Sequence, residues 1–454
     1  MEPKLERSLS LGGSVGLIVG LVIGASIFVL IPQLAGMTGP SLYLAYGVSV
    51  IPTIFTSLYL VQLAGALPVT GANYVAITRL ISPMAGFVSS VAAVVGMIAT
   101  NCLVAWGFAE YVGKILPGLP VTSVAVGIVL FFGLINWIGV KIFEWAQVFM
   151  VILLLAAMLI FGIAGLFHVS PENTTPLFPN GIGQFILVVA IATFSWGGFI
   201  AIVEVAGEVK NPRRTIPRAI VISLFIVLLL YVLQTFVFTG VLNWQEAGRM
   251  GPTAFIVASS LFLPPAMVHF IVVAALLAMA TSINSIMLMA AREAFAWSRD
   301  HVIPVAFNRI HPRFKTPERT ILVTTVFSVA GVLFAADLEK YALMVVYALM
   351  VAQGLGAAAV WRMPKLMPEI YGKSLFKFPP LWRNFIFIGC LTVFGLIFTF
   401  GWVADYKTGL IFFAIMGLSL LYWYGRVNVL AGRGIHLGAT LSKLSHETIE
   451  ELEQ

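Results

Sequence analysis

The sequence Phe194-Ser195-Trp196-Gly197-Gly198-Phe199 interrupts a long apolar run, and Gly24-Ala25-Ser26-Ile27-Phe28 interrupts another near the amino terminus. In both places small residues stand in the middle of a stretch long enough to cross a membrane, where a helix can break. A broken helix leaves backbone groups without partners, which the membrane interior tolerates only around a cavity. Two such breaks in corresponding halves of a chain predict a site where a solute binds.

Composition places the chain among membrane proteins. Hydrophobic residues make up 60% of the 454 residues and charged residues 10%, whereas soluble domains are about half apolar and about a quarter charged. The two cysteines, Cys102 and Cys390, lie in apolar runs and are expected to be small buried hydrophobes. The histidines show no ligand spacing, and no catalytic set is visible. The sequence therefore predicts neither an enzyme nor a bound cofactor.

Twelve stretches satisfy the length of about 20 mostly apolar residues that a spanning helix needs. They are residues 14–36, 41–67, 84–113, 121–138, 143–167, 184–208, 217–241, 266–291, 319–336, 341–361, 384–403 and 408–425.

The Lys and Arg residues support this count and set an orientation. When the amino terminus is placed in the cytoplasm, nearly all of the 26 Lys and Arg residues fall inside, as the positive-inside rule expects. The same asymmetry accounts for the net charge of +7, and no basic stripe with interleaved aromatic residues indicates a nucleic-acid partner. The exceptions that fall outside are Lys114, Arg249, Lys340 and Lys407.

The motifs at these breaks resemble those of the amino acid–polyamine–organocation (APC) transporter superfamily. Phe194–Phe199, followed by Glu208-Val209-Lys210-Asn211-Pro212, resembles its aromatic–glycine–aromatic break and cytoplasmic signature. Gly24–Phe28 is similar to its Gly-Ser-Gly-Ile-Phe element, and Pro68–Tyr74 to its Pro-x-x-Gly-Gly-x-Tyr element. The run Arg299–Pro304 resembles its Arg-Asp-Gly-x-x-Pro loop. Spans one to eight carry these motifs, and the later spans match by topology alone.

The resemblance implies an all-α membrane protein of the LeuT-type fold, with twelve transmembrane helices in a 5+5 inverted repeat and with helices 1 and 6 broken. Residues 14–167 would form the first repeat, and residues 184–361 the inverted second repeat. Residues 384–425 would add two peripheral helices and residues 432–454 a cytoplasmic tail, all in a single transporter domain, 1–454. The charge pattern places both termini in the cytoplasm, and we expect a monomer or homodimer among the lipids of the cytoplasmic membrane.

The polarity of the broken helices predicts recognition of a zwitterion. The outer half of span one would begin near Ser26 with free N–H groups, which favour a carboxylate. The outer half of span six would end near Phe194 to Trp196 with free carbonyls, which favour an ammonium group. The substrate-binding candidates are Gly24, Ala25, Ser26, Ile27, Phe194, Ser195, Trp196, Gly197, Gly198, Phe199 and, in span three, Asn101.

Several of these residues also have a structural interpretation. Asn101 either lines the pocket or bonds a neighbouring helix. Phe199 holds the position of an aromatic lid in the family, but it is otherwise a core or lipid-facing residue, and Trp196 is expected to serve packing. The family pattern has Ser at Ala25 and Gly at Ser26, which leaves the substrate open. Glycines at every fourth position are also typical of a helix-packing face, and here they are Gly12, Gly16, Gly20 and Gly24.

Span eight contains adjacent hydroxyls in the run Ala278–Asn284. In sodium-coupled transporters of the LeuT-type fold, an Ala-x-x-Thr-Ser run of this kind meets carbonyls of span one beside its break. The alternative is that both hydroxyls bond carbonyls one turn earlier in their own helix. The resemblance implies a Na⁺ site, with no other cofactor, formed by oxygens of Gly20, Ile23, Ala278, Thr281 and Ser282.

Together these features predict secondary active transport of amino acids by alternating access. Neutral substrates are favoured because spans one, three and eight place no carboxylate at the depth of the breaks. Glu204, five residues after Phe199, either carries a proton, meets a cationic substrate or pairs with a basic residue. A proton-coupled cationic amino acid or polyamine transporter or exchanger is therefore an alternative, as is an inorganic-ion cotransporter of the same fold.

Overall fold

The structure is a computed structural model that describes residues 9–23, 26–67, 72–139, 143–204, 206, 209–314, 316–334, 337–374, 376–435 and 437–438, without the side chains of residues 143–148, 204 and 373. Several predicted features lie outside the described part, namely Gly24, Ala25, residues 68–71 of the Pro68–Tyr74 element, the Glu208 of the signature and the tail residues 436 and 439–454. Within it, the regular secondary structure is helical.

The α-helices of the described ranges are numbered in chain order. They are α1 (Leu11–Ile23), α2 (Ser26–Thr38), α3 (Leu42–Ala66), α4 (Ala72–Leu80), α5 (Pro83–Ile115), α6 (Val121–Ile138), α7 (Phe143–Leu166), α8 (Gly181–Ala192), α9 (Ala201–Glu204), α10 (Pro212–Val241), α11 (Trp244–Met250), α12 (Ala254–Ser260), α13 (Pro265–Arg299), α14 (Glu318–Phe334), α15 (Leu338–Leu366), α16 (Pro368–Lys373), α17 (Pro380–Ala404) and α18 (Tyr406–Ala431).

Local sequence explains where many of the long helices begin. Helices α5, α10, α13 and α17 each start at a proline, which has the helical φ and lacks an N–H that would be unpaired there. Ser82 accepts a hydrogen bond from the Ala85 N–H and caps α5. Asp337 and Asp405 cap α15 and α18 in the same way. Such caps stabilise a helix by roughly 1 kcal/mol each.

Ten helical stretches of the described chain are long and apolar enough to cross a membrane. The first, Leu11–Ala66, has 56 residues and contains α1, α2 and α3. Helix α14 has 17 residues and is shorter than any of the ten. The prediction of an integral, multi-pass, all-α membrane protein is confirmed, whereas the count of twelve spans and the inverted repeat stay predictions.

The long helices pack in two groups, one around α10 and one around α5. Helix α10 packs against α1 and α3, and α5 packs against α13 and α15. Helix α2 contacts both α5 and the short helix α11. Toward the carboxyl end, α17 and α18 expose large apolar side chains such as Leu381, Val403 and Leu421, which is typical of a surface that faces lipid.

The loop after α13 follows the family motif with one departure. His301 stands where the motif has glycine, and its φ of 61° lies in the left-handed region that favours glycine. The Arg426 Nε donates to the His301 carbonyl at 3.1 Å, and the Tyr422 hydroxyl donates to the Val302 carbonyl at 3.0 Å. Helix α18 therefore holds this loop in place.

Candidate functional site

The helix that contains the second interruption changes its geometry there. Between α8 and α9, residues Thr193–Ile200 form a 3-10 helix of eight residues. Runs of 3-10 helix longer than three or four residues are uncommon, and within a longer helix they mark a hinge or strain. Gly197 and Gly198 lie in this segment, which will be called the 3-10 segment. The interruption that the sequence predicts at Phe194–Phe199 thus falls on a tightened helix.

The first predicted interruption, Gly24–Phe28, lies where the description stops at Ile23 in α1 and resumes at Ser26 in α2. The buried Ser26 hydroxyl points back to α1 and donates to the Ile23 carbonyl at 3.2 Å. The next residue, Ile27, is also buried. The Ser26 hydroxyl therefore bonds the backbone about one turn earlier, as Ser and Thr hydroxyls in membrane helices often do.

Gly198 brings the 3-10 segment into direct contact with the backbone of α1. A Cβ atom at this position would lie 2.8 Å from the Val22 nitrogen and 2.9 Å from the Leu21 carbonyl carbon. At Gly197 the nearest atom to a Cβ is the end of the Leu349 side chain, at 3.0 Å. Backbone packing against backbone thus requires glycine at position 198, whereas the neighbour at 197 is a flexible side chain.

Tyr231 of α10 joins the two interruptions. Its hydroxyl lies 2.7 Å from the Val22 carbonyl of α1 and 3.0 Å from the Ser195 carbonyl of the 3-10 segment. It also lies 3.1 Å from the Ser26 hydroxyl. One fully buried phenol therefore contacts both α1 and the 3-10 segment.

Aromatic rings enclose this contact. The rings of Tyr46 and Trp196 each meet the Tyr231 ring edge-on at 5.2 Å. The Trp196 Nε1 donates to the Ser49 hydroxyl at 2.9 Å, and its ring stacks on Phe199 at 6.3 Å. Trp196 and Phe199 are 2% and 1% exposed. This burial agrees with packing for Trp196, and it excludes a lipid-facing position for Phe199.

The sequence did not single out Tyr231 or Tyr46. The available signal was a tyrosine in the middle of an apolar span, because a buried phenol hydroxyl usually finds a hydrogen-bond partner. That signal identifies the residue as polar and buried, but it does not identify the partner.

Asn101 of α5 is buried, and neither atom of its amide group has a hydrogen-bond partner among the described residues. Leaving a buried polar group unpaired costs roughly 1–3 kcal/mol. Such a group calls for an explanation, for instance a bound water or ligand. The structure gives no hydrogen bond from Asn101 to a neighbouring helix within the described ranges, and the pocket-lining role of Asn101 stays a prediction.

A small cleft borders the 3-10 segment. Thr193, Trp196 and Gly197 line one side, and residues of α3 and α15, among them Pro52 and Gln353, line the other. Its volume is about 10 Å³, which is room for about one water molecule. This cleft is too small for an organic solute, so binding there requires the surrounding helices to move.

The two hydroxyls of the predicted cation site donate within their own helix. Thr281 donates to the Leu277 and Ala278 carbonyls at 3.0 Å, and Ser282 donates to the Ala278 carbonyl at 2.8 Å. This is the arrangement that the alternative interpretation expected. It also leaves the lone pairs of both hydroxyl oxygens available, so their chemistry suits a hard cation. On α1, a Cβ atom at Gly20 would lie 2.6 Å from a methyl group of Val151 in α7.

The other candidates are placed as follows. Glu204 is the last residue of α9, and its side chain lies outside the described residues. Gly12 and Gly16 have no atom within 4 Å of the place where a Cβ would lie. Of the glycines spaced by four, Gly20 therefore packs closely, whereas Gly12 and Gly16 do not form a tight packing face with described residues.

Comparison with known proteins assigns the chain to a family. A family model described as amino acid permease matches residues 9–421. The chain is 27% identical over 450 residues to the branched-chain amino acid permease of Bacillus subtilis, with 94% of each chain covered. It is 27% identical over 398 residues to the methylthioribose transporter of the same organism, covering 83% of this chain and 84% of the relative. It is 25% identical over 456 residues to vacuolar cationic amino acid transporter 8 of Arabidopsis thaliana, covering 93% of this chain and 75% of the relative.

Proposed function

We propose that this chain, which belongs to the amino acid permease family of the APC superfamily, is a secondary transporter that carries neutral amino acids by alternating access. The observation that carries this proposal is the contact between the 3-10 segment and α1, at Gly198 and Val22, inside a chain that the family model covers from residue 9 to residue 421. Family members are transporters, and this agrees with the expectation that the chain is not an enzyme.

The helix ends supply the chemistry for a zwitterion. A break before Ser26 would direct N–H groups and a positive dipole end of α2 toward the junction, which would favour the α-carboxylate of a substrate. Carbonyls of the 3-10 segment, Ser195 among them, would accept from the α-ammonium group. Each such interaction is worth up to about 2 kcal/mol when partly buried, which suits the weak binding that turnover requires.

The surroundings favour an uncharged, apolar substrate side chain. The described residues at the junction, such as Ile27, Phe194 and Phe199, carry no charge. The similarity to a branched-chain amino acid permease supports the same preference. The similarity to a cationic amino acid transporter supports a second candidate, transport of basic amino acids, in which Glu204 would face the substrate.

The membrane arrangement is part of the proposal. Two of the twelve crossings would lie in Leu11–Ala66, and α14 would add a crossing of about 25 Å at 1.5 Å per residue. Helices α1 to α7 would form the first repeat, and the region from α8 to α15 the inverted second. The chain would lie in the cytoplasmic membrane, as a monomer or homodimer, with both termini in the cytoplasm.

Uptake of labelled amino acids into liposomes that contain the purified protein tests the substrate. We expect saturable uptake of leucine, isoleucine or valine and little uptake of arginine or putrescine. Phe199→Ala is expected to lower uptake by about tenfold, because loss of this buried ring removes support from Trp196 and displaces the 3-10 segment.

Phe334→Ala is the matched control, because Phe334 is 89% exposed at the end of α14 and its loss should leave uptake unchanged. Uptake of arginine with exclusion of leucine would favour the second candidate. A wild-type protein that takes up no amino acid would contradict the proposed function.

Sodium coupling through Thr281 and Ser282 is tested by ion replacement. We expect uptake to fall at least about tenfold when Na⁺ is replaced by choline, and Ser282→Ala to raise the Na⁺ concentration for half-maximal uptake, because the variant lacks one oxygen ligand. Ser419→Ala is the control, since Ser419 of α18 also donates within its own helix, to the Met416 carbonyl at 2.7 Å. Wild-type uptake that is the same in choline would exclude this coupling and leave a proton gradient to be tested.

A further inference from the structure

We propose that Gln33 of α2 and Glu339 of α15 form a proton-sensitive latch, which links the outer ends of these two helices and closes more tightly when Glu339 is protonated. The inference rests on the proposed function, since it uses alternating access and the membrane arrangement in which α15 begins on the outer side. It concerns residues outside the candidate site, and the ligand of the latch is a proton.

The latch is a hydrogen bond between helices that are far apart in the chain. The Gln33 Nε2 donates to the Glu339 Oε1 at 3.1 Å, although the two residues are 306 positions apart. Within the described residues, α2 and α15 are not among the pairs of helices that pack closely along their length. The two side chains therefore link helices that extended backbone packing does not hold together.

The Gln33 amide has an unused acceptor beside this bond. Its Oε1 is buried and has no hydrogen-bond partner among the described residues, and such an atom calls for an explanation. An ionised carboxylate only accepts hydrogen bonds, whereas a protonated carboxyl also donates one O–H. A protonated Glu339 can thus pair with the amide through two parallel hydrogen bonds, one from Nε2 and one to Oε1. Protonation therefore adds a bond to the closed latch and gives the Gln33 Oε1 a partner.

The charged groups that face Glu339 do not pair with it. They are Asp337 and Lys340, at the start of α15, and Asp405, which precedes α18. The Lys340 Nζ lies 3.1 Å from the Asp337 Oδ2, and Asp405 caps α18. Within the described ranges, no basic side chain forms an ion pair with Glu339. The group that distinguishes the two protonation states of Glu339 is therefore the Gln33 amide.

The latch makes access from outside depend on pH. The cleft beside the 3-10 segment is too small for an organic solute, so entry from outside requires α2 and its neighbours to move, and this movement breaks the latch. A bound proton stabilises the closed form, because that form binds the proton better. The apparent affinity for external substrate falls with the fraction of protein that is open. Acid is therefore expected to raise the KM for external leucine.

The experiment measures the KM for leucine exchange across liposomes, with saturating unlabelled leucine inside and the same pH on both sides, so that no proton gradient drives uptake. In the wild-type protein we expect the KM to rise about fivefold from neutral to acidic pH, the effect of one added hydrogen bond on the equilibrium. Glu339→Gln supplies a second amide, which keeps both bonds at every pH, so its KM should be high and independent of pH. Gln33→Met has no latch, so its KM should be low and also independent of pH.

A distance measurement tests the latch without transport. Cys102 and Cys390 are buried, so spin labels can be attached at two introduced cysteines. These are Gln245→Cys of α11, which packs on α2, and Tyr406→Cys of α18, both at exposed positions. Acid should shift the distance between the labels toward shorter values in this protein, but not when Glu339→Gln is added.

Glu246→Gln is the matched control. Glu246 also lies on the outer side in the proposed arrangement, but it is exposed on α11, so this variant should keep the wild-type response to pH. A Glu339→Gln protein that keeps that response, in KM or in label distance, would overturn the latch. A wild-type protein that takes up no amino acid would instead contradict the proposed function, and the label distances would still decide whether the latch exists.

Discussion

Replacing Gly198 with alanine is expected to reduce amino acid uptake by about 100-fold, the effect that a displacement of about 1 Å at a reacting or binding site can have. The new Cβ atom would lie 2.8 Å from the Val22 nitrogen and 2.9 Å from the Leu21 carbonyl carbon. Both are backbone atoms, so no side-chain rotation relieves the overlap. The 3-10 segment must move away from α1, and the carbonyls of Val22 and Ser195 no longer meet at Tyr231. The measurement is the initial rate of leucine uptake into liposomes at matched protein content.

Two other glycines of the same span provide controls for this prediction. Gly183 of α8 has no atom within 4 Å of a Cβ position, so Gly183→Ala should transport at the wild-type rate. Gly197→Ala should have a smaller effect than Gly198→Ala, because Leu349 can change its rotamer. If Gly198→Ala transports within about twofold of Gly183→Ala, the backbone contact is not required for transport.

Gly36→Ala is expected to cause the largest loss of stability among the variants considered. Gly36 of α2 and Gly248 of α11 face each other, and a Cβ at Gly36 would lie 2.5 Å from the Gly248 Cα. The reciprocal Cβ at Gly248 would lie 2.7 Å from the Gly36 Cα. Alanine forces the two helices apart, and overpacking of this kind lowers the free energy of unfolding by about 1–3 kcal/mol. The melting temperature of the purified protein in detergent should fall accordingly, and uptake should fall with it because α2 contains Ser26 of the candidate site.

Gly47→Ala in α3 is the control for this stability change, since nothing lies within 4 Å of its Cβ position. In a helix, alanine is more favourable than glycine by roughly 0.5–1 kcal/mol, so this variant should melt at or slightly above the wild-type temperature. Equal melting temperatures for Gly36→Ala and Gly47→Ala would mean that α2 and α11 do not depend on their close approach.

The sequence predicts the long helices well because their signal is local. An apolar run of about 20 residues marks a helix wherever its neighbours lie, and proline or an acidic cap marks many of the starts. The main difference is at α13, which continues to Arg299, eight residues beyond the predicted end at residue 291. Its last turns are held by a contact that is distant in sequence, since the Trp297 Nε1 donates to the Ser90 hydroxyl of α5 at 2.6 Å.

The candidate site is predictable only in part. The small residues of Phe194–Phe199 locate the interruption, but its 3-10 geometry depends on how closely α1 approaches Gly198. The role of Tyr231 depends on three elements that are far apart in the chain, and no local pattern joins them. The glycines of α1 show the opposite case. Their even spacing is visible in the sequence, but of the three glycines that the structure describes there, only Gly20 has a close neighbour.

Competition by two leucine analogues, each lacking one of the two charged groups of leucine, tests most directly whether two opposed helix ends recognise a zwitterion. The compounds are 3-methylbutylamine, which lacks the carboxylate, and 4-methylpentanoate, which lacks the ammonium group, each tested against uptake of labelled leucine by the wild-type protein. Because each helix end contributes up to about 2 kcal/mol, we predict that both compounds compete about 30-fold more weakly than unlabelled leucine. Competition by either compound at the same concentration as leucine would contradict the account.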